Sequence, residues 1–250
     1  MMALIILIAV VLGSFANVLI HRLPMMILDD ESSVNLAQPA SHCPQCHTPL
    51  RWWHNIPLLS FVFLRRRCAA CGQLIAWRYF IVELGAAFLA AVCVWQWGVT
   101  IQAGAYFVFL YILWVLAWID ALHYLLPDVL TLSLLWLGLL YHAAFEPARL
   151  ADSVFAAAFG YLLLSIVYFV YYGVTGKQGI GFGDMKLLAA IGVWLGVVSI
   201  ANVLIMACVF ALLFALLMRF KRNKILPFGP FLAAAAVFVL MTQFDLGAWL

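Results

Sequence analysis

The sequence predicts an all-α polytopic membrane protein with about eight transmembrane helices and one sizeable hydrophilic loop between the first two. Three observations carry that prediction. Of 250 residues, 68% are hydrophobic and 9% charged, with a mean hydropathy of +1.12; a water-soluble domain leaves too many positions facing solvent to accommodate so much apolar surface. The apolar residues also come in runs near 3–20, 80–97, 103–119, 128–145, 154–173, 184–198, 200–218 and 229–244. Roughly 17–25 such residues cross the hydrocarbon core as a helix. Finally, the charges are distributed asymmetrically along the chain, as orientation in a membrane requires.

The first run lacks a positive stretch before it, and its basic residues follow it. It therefore reads as a first span running outside to inside and not as a cleaved signal. The next element is the hydrophilic segment 21–79, which leads into the second span. The run 103–119 holds seventeen residues without a formal charge and ends on Asp120. A short segment, 121–126, then precedes Pro127-Asp128, where proline suits the first turn of the next helix. The stretch 184–218 needs Gly196, Ser199 and Asn202 to break it into two helices. Three regions follow: a first helix at 1–20, a loop at 21–79 and a transmembrane core at 80–250.

Basic residues set the orientation. Arg22, Arg51, Arg65, Arg66, Arg67 and Arg78 lie around the loop, Lys177 and Lys186 flank a glycine-rich segment, and Arg219, Lys221, Arg222 and Lys224 cluster late. With eight alternating spans all twelve fall on the cytoplasmic side, and Arg149 alone falls outside. The positive-inside rule expects this asymmetry. It also places Asp120 and Asp184 near the same, cytoplasmic, face. Basic clusters interrupted by membrane spans do not form a nucleic-acid surface.

The loop carries Cys43/Cys46 and Cys68/Cys71, two Cys-x-x-Cys pairs with twenty-one residues between them. Four thiolates at that spacing suit one tetrahedral zinc ion of the closed, structural kind. The alternatives are two disulfides or reduced thiols, and a cytoplasmic loop disfavours disulfides. His42, His47 and His54 are nearby alternative ligands. Elsewhere in the loop, Asp29-Asp30-Glu31-Ser32-Ser33 reads as a solvated stretch. Arg51-Trp52-Trp53-His54-Asn55 reads either as an interfacial patch or as an aromatic cluster packed around the metal. Cys93 and Cys208 lie inside spans as small packing residues.

Chemistry is expected at the carboxylates. An ionisable group at membrane depth is a functional candidate by default. Asp120 follows a helix C-terminus, where negative charge is unfavourable, whereas Asp128 sits in a first turn, where the helix dipole favours it. Asp184 closes Gly179-Ile180-Gly181-Phe182-Gly183. Glycines at 181 and 183 let backbone approach a ligand, and such a loop suits an extended peptide bound by strand addition; the alternative is a plain turn with Asp184 as N-cap. Two carboxylates about 3 Å apart share one proton, which is one solution for activating water against a peptide bond. Lys186 is placed either to bind a substrate carboxylate or to snorkel. Glu83, near the start of the second span, supports the site, pairs with an arginine or sits in water.

Taken in order, these residues resemble the bacterial prepilin peptidase family, the type IV leader peptidases of the GxGD class of intramembrane aspartic peptidases. The resemblance runs from Gly13-Ser14-Phe15-Ala16-Asn17 and His21-Arg22-Leu23-Pro24 through the cysteine pairs and the stretch from Trp52 to Ser60. It continues with Arg78-Tyr79, Val82-Glu83, Asp120, Leu126-Pro127-Asp128 and Gly179-x-Gly181-x-Gly183-Asp184-x-Lys186. Pro227-Phe228-Gly229-Pro230 completes it. The resemblance implies an inner-membrane enzyme that cuts type IV prepilins, and the pseudopilins of type II secretion, after the glycine ending a short basic leader. Asp120 and Asp184 would be its catalytic pair, with Asp128 a second-tier candidate. It further implies N-methylation of the new N-terminus from S-adenosylmethionine, an activity that involves the loop. No glycine-rich Rossmann fingerprint marks that cofactor's site. A competing reading is a polytopic transporter with a carboxylate proton relay. It accounts for the aspartates but not for the four-cysteine loop, nor for two aspartates at one face.

Overall fold

The computed structural model describes residues 2–29, 35–38, 40–43, 45–49, 53, 56–177, 179–218 and 226–242. Asp30-Glu31-Ser32-Ser33, Arg51-Trp52, His54-Asn55 and the cluster Arg219, Lys221, Arg222 and Lys224 lie outside the described residues. The helices are α1 (Met2–Leu28), α2 (Leu59–Phe63), α3 (Trp77–Trp97), α4 (Ile101–His123), α5 (Asp128–Phe145), α6 (Pro147–Thr175), α7 (Phe182–Leu195), α8 (Val197–Leu217) and α9 (Gly229–Thr242). Among the described residues, α1, α3, α4, α5, α6 and α8 are long and apolar enough to cross a membrane. The protein is thus an all-α polytopic membrane protein.

The helices α7 and α9 have 14 residues each, about 21 Å at 1.5 Å per residue, against a hydrocarbon core of about 30 Å. The apolar run at 184–198 therefore continues past the end of α7 at Leu195. Gly196 alone makes the break expected in 184–218. Its φ of 86° ends α7, a conformation that only glycine adopts without strain. Ser199 sits inside α8, its hydroxyl donating to the Leu195 carbonyl at 2.9 Å. At the other end of the chain α1 runs on to Leu28 through Pro24, so the helix continues into the segment that begins at residue 21. Arg22 on that extension donates to the Asn35 and Leu36 carbonyls at 3.0 and 3.2 Å.

The chain divides into two compact units, Met1–Val115 and Leu116–Leu250. In the first, α1 lies against α3 closely enough that a Cβ on Gly13 would sit 2.7 Å from the Glu83 Cα. Trp114 of α4 covers Gly85 and donates to the Val82 carbonyl at 3.3 Å, and Tyr111 donates to the Leu12 carbonyl at 2.7 Å. Cys93 is buried here, whereas Cys208 of α8 faces outward.

In the second unit α7 is the central helix, in contact with α5, α6, α8 and α9. Its buried residues fall on every side, from Asp184 to Trp194. Apolar tails of lipid give helices no hydrophobic reason to associate, so close packing of small residues has to do it. Ala156 and Gly160 of α6 meet Gly192 and Leu188 of α7 in this way. A Cβ on Gly192 would lie 2.9 Å from the Ala156 carbonyl oxygen, and one on Gly160 would lie 3.1 Å from that of Leu188. Trp194 fastens the far end by donating to the Leu134 carbonyl of α5 at 2.9 Å.

Candidate functional site

Asp120 and Asp184 both belong to the second unit, 6% and 9% exposed. Asp120 lies in the last turn of α4, where its own helix disfavours a carboxylate. The compensation comes from α9: Gly229, its first residue, donates its N–H to Asp120 Oδ2 at 2.9 Å. The unpaired amides at a helix N-terminus bind anions. The contact is tight, since a Cβ on Gly229 would lie 2.7 Å from Asp120 Oδ2.

Asp184 is placed by the same principle on the other short helix. The N-cap of α7 is Gly181 and Asp184 is its third residue, so Asp184 is not itself the cap. Its Oδ2 accepts the Gly181 N–H at 3.3 Å, and its own N–H donates to the Gly181 carbonyl at 3.1 Å. Gly183 faces Leu126, whose Cβ lies 2.7 Å from where a glycine side chain would start, which draws the α4–α5 connection onto the start of α7. Asp120 and Asp184 are thus two buried carboxylates of one unit, each held at the positive end of a helix.

Lys186 Nζ lies 2.7 Å from both carboxylate oxygens of Asp128. The ion pair joins the first turn of α5 to the second turn of α7, and neither role expected of Lys186 foresaw it. Glu83 lies in the first unit, half-buried on α3, where its Oε2 accepts the Leu58 N–H at 2.8 Å. Ser14 and Asn17 of α1 lie on the side of α3 that carries it.

The four loop cysteines gather in the first unit. Their sulfurs all lie within 4.8 Å of one another, with Cys43–Cys71 and Cys46–Cys68 each at 4.0 Å. A tetrahedral ion with metal–sulfur bonds of about 2.3 Å requires edges of about 3.8 Å, so the donor set fits. Each pair forms the same turn. Cys43 N–H donates to the Thr48 carbonyl at 3.0 Å and Cys68 N–H to that of Gln73 at 2.9 Å; His47 and Gly72 N–H return to the Cys43 and Cys68 carbonyls, both at 2.9 Å. His47 and Gly72 occupy equivalent positions with φ of 54° and 71°. The Thr48 hydroxyl and amide pull the Cys46 thiol down to about 6. Cys71 is pushed up to about 11, because the Gln73 amide lowers it but burial and the neighbouring thiols outweigh that. Trp53, the described member of the expected interfacial patch, is exposed.

Sequence reasoning missed the Gly229 amide. Its one signal was a glycine between prolines, Pro227-Phe228-Gly229-Pro230, opening an apolar run. It also passed over His142, a buried α5 histidine 3.6 Å from Glu146 and ringed by Tyr141 and Trp194. Nothing in the local sequence distinguishes it from any other helical histidine.

Comparison with known proteins bears on the whole chain. The model of the Bacterial Peptidase A24 N-terminal domain matches residues 7–97, and that of the Type IV leader peptidase family matches residues 107–216. The chain is similar to the prepilin leader peptidase/N-methyltransferase of Pseudomonas aeruginosa, 40% identical over 256 residues that cover 94% of this chain and 88% of that protein. That of Klebsiella pneumoniae is 47% identical over 197 residues, 78% of this chain and 85% of the relative. That of Dichelobacter nodosus is 38% identical over 247 residues, 91% and 86%. No solved structure matches at the same stringency. Likeness of this extent, along nearly the full length of both partners, means that the chain belongs to the type IV leader peptidase family.

Proposed function

We propose that this protein is a bifunctional prepilin leader peptidase and N-methyltransferase, an aspartic endopeptidase whose catalytic pair is Asp120 and Asp184. The observation that carries the reading is that two buried carboxylates of one unit are each held by an N-terminal amide of a helix, Asp184 on α7 and Asp120 on α9. In this mechanism the dyad holds one proton, because like charges at close range cannot both persist. The ionised member takes a proton from water, and the water attacks the scissile carbonyl. The protonated member stabilises the developing oxyanion and then protonates the leaving amine. An extended substrate segment runs beside Gly181, Gly183 being closed off by Leu126, and the Asp128–Lys186 pair holds α5 to α7 beside it. The substrates are type IV prepilins and type II pseudopilins, themselves held in the membrane lipid by an apolar helix.

Eight crossings, with α7 and α9 as short ones, keep both aspartates at the cytoplasmic face of the inner membrane, where a basic leader would lie. The regions at 1–20, 21–79 and 80–250 then act as first span, metal-binding loop and peptidase core. Cys43, Cys46, Cys68 and Cys71 hold one structural zinc in a zinc-ribbon-like arrangement, and no step of peptide cleavage passes through it. S-adenosylmethionine supplies the methyl group for the new N-terminal amine, in an activity that depends on the loop.

The test is cleavage of a prepilin by the reconstituted protein and by Asp120→Asn and Asp184→Asn. Each variant should lose cleavage while keeping its fold and its metal. Full cleavage by either would remove that residue from the pair.

A further inference from the structure

The helix α2 has no buried residue of its own, yet it is held against one face of α3. Trp77, Phe80 and Glu83 recur every three residues and share that face. The Phe61 ring lies 5.3 Å from Trp77 and 5.1 Å from Phe80. One turn further along, Glu83 Oε2 takes the Leu58 N–H at 2.8 Å. Leu58 is the N-cap of α2 and holds φ 59° and ψ −47°, a positive-φ conformation outside the allowed left-handed region that disfavours a side chain as bulky as leucine. Something outside the turn has to hold it there.

Glu83 is fitted to do so. A carboxylate in a span is costly unless it is bonded, and a charge-assisted hydrogen bond is stronger than a neutral one. Among the described residues no arginine or lysine forms an ion pair with it. The guanidiniums of Arg66 and Arg78 lie over the Trp77 and Tyr79 rings. Its neighbours on α1 are Ser14 and Asn17, and Asn17 in turn donates to the Tyr79 carbonyl at 3.1 Å. Glu83 is therefore where α3, whose backbone here meets Gly13 of α1, is joined to the loop. Because Cys43/Cys46 precede α2 and Cys68/Cys71 follow it, fixing α2 fixes the segment that the four sulfurs close.

We propose that Glu83 is a positioning residue that fastens the four-cysteine loop to the membrane helices of its unit, and so serves methyl transfer and not peptide cleavage. This rests on the reading above that the loop takes part in methyl transfer. The experiment uses full-length protein in nanodiscs, with a prepilin and isotopically labelled S-adenosylmethionine, comparing the parent with Glu83→Ala and Glu83→Gln. Cleavage, methyl incorporation, bound zinc and hydrogen exchange of the segment containing Leu58 are read on each.

Glu83→Ala should keep cleavage within about twofold and retain zinc. It should lower methyl transfer about tenfold or more and speed Leu58 exchange by a similar factor, as loss of a charged hydrogen bond implies. Glu83→Gln keeps an acceptor for the Leu58 amide and should fall between. Unchanged Leu58 exchange, or cleavage falling in step with methylation, overturns the proposal. A parent that cleaves without methylating overturns the methyl-transfer reading instead, and amide exchange alone then decides whether Glu83 fastens the loop.

Discussion

Replacing Gly229 with alanine is the sharpest available probe of how Asp120 is held. The added methyl would begin 2.7 Å from Asp120 Oδ2 and 3.2 Å from its Cβ and Cγ, so either the carboxylate or the start of α9 must shift. Either movement breaks the 2.9 Å bond from the Gly229 N–H. A hydrogen bond to a charged group contributes about 1.5–3 kcal/mol. If that contribution is expressed fully in the transition state, cleavage falls about 10- to 150-fold. The assay is the initial rate of prepilin cleavage by the purified, reconstituted variant, with thermal unfolding measured alongside. Gly104→Ala is the control, because nothing lies within 4 Å of the methyl it would add on α4. A Gly229→Ala protein that cleaves within twofold of the parent would refute the reasoning, since Asp120 would then owe nothing to the α9 N-terminus.

Cys43→Ser should lose bound zinc by metal analysis while a core that does not contain the site keeps cleaving; zinc retained at parent level would implicate the histidines. Lys186→Ala breaks an exposed ion pair with Asp128, worth about 0–1 kcal/mol, so cleavage should fall no more than about fivefold. A larger loss would mean that Lys186 touches the substrate. His47→Gly places glycine where the twin turn already has Gly72. Removing a left-handed non-glycine residue relieves about 1–2 kcal/mol, so the loop should release its metal at a higher temperature than in the parent.

Much of this molecule was legible because lipid imposes strict rules on sequence. Apolar runs marked the long helices, and two costly carboxylates stood out within or beside them. The cysteine spacing anticipated the sulfur cluster. The shortness of α7 was hidden because apolar composition continues past its end: Gly196 stops α7 by its backbone angle, while hydropathy runs on through Val197. The partners of the charged residues were also out of reach. Lys186 finds Asp128 across 58 positions, and Gly229 finds Asp120 across 109. Pairings at that separation depend on tertiary packing, which periodicity does not encode. Glu83 and Leu58 show the same limit inside one unit, with a backbone amide as the partner.

The two short helices also bear on where water can go. Backbone outside a helix has to find hydrogen bonds elsewhere, and at membrane depth it persists only where protein or a wet cavity supplies them. In the second unit the non-helical segments 124–127, 179–181 and 226–228 are the ones that lead into the helix starts around Asp120 and Asp184. A hydrolase embedded in lipid needs a reactant that lipid excludes. By ending its helices at the carboxylates, this fold puts its thirstiest backbone beside the groups that would consume that reactant.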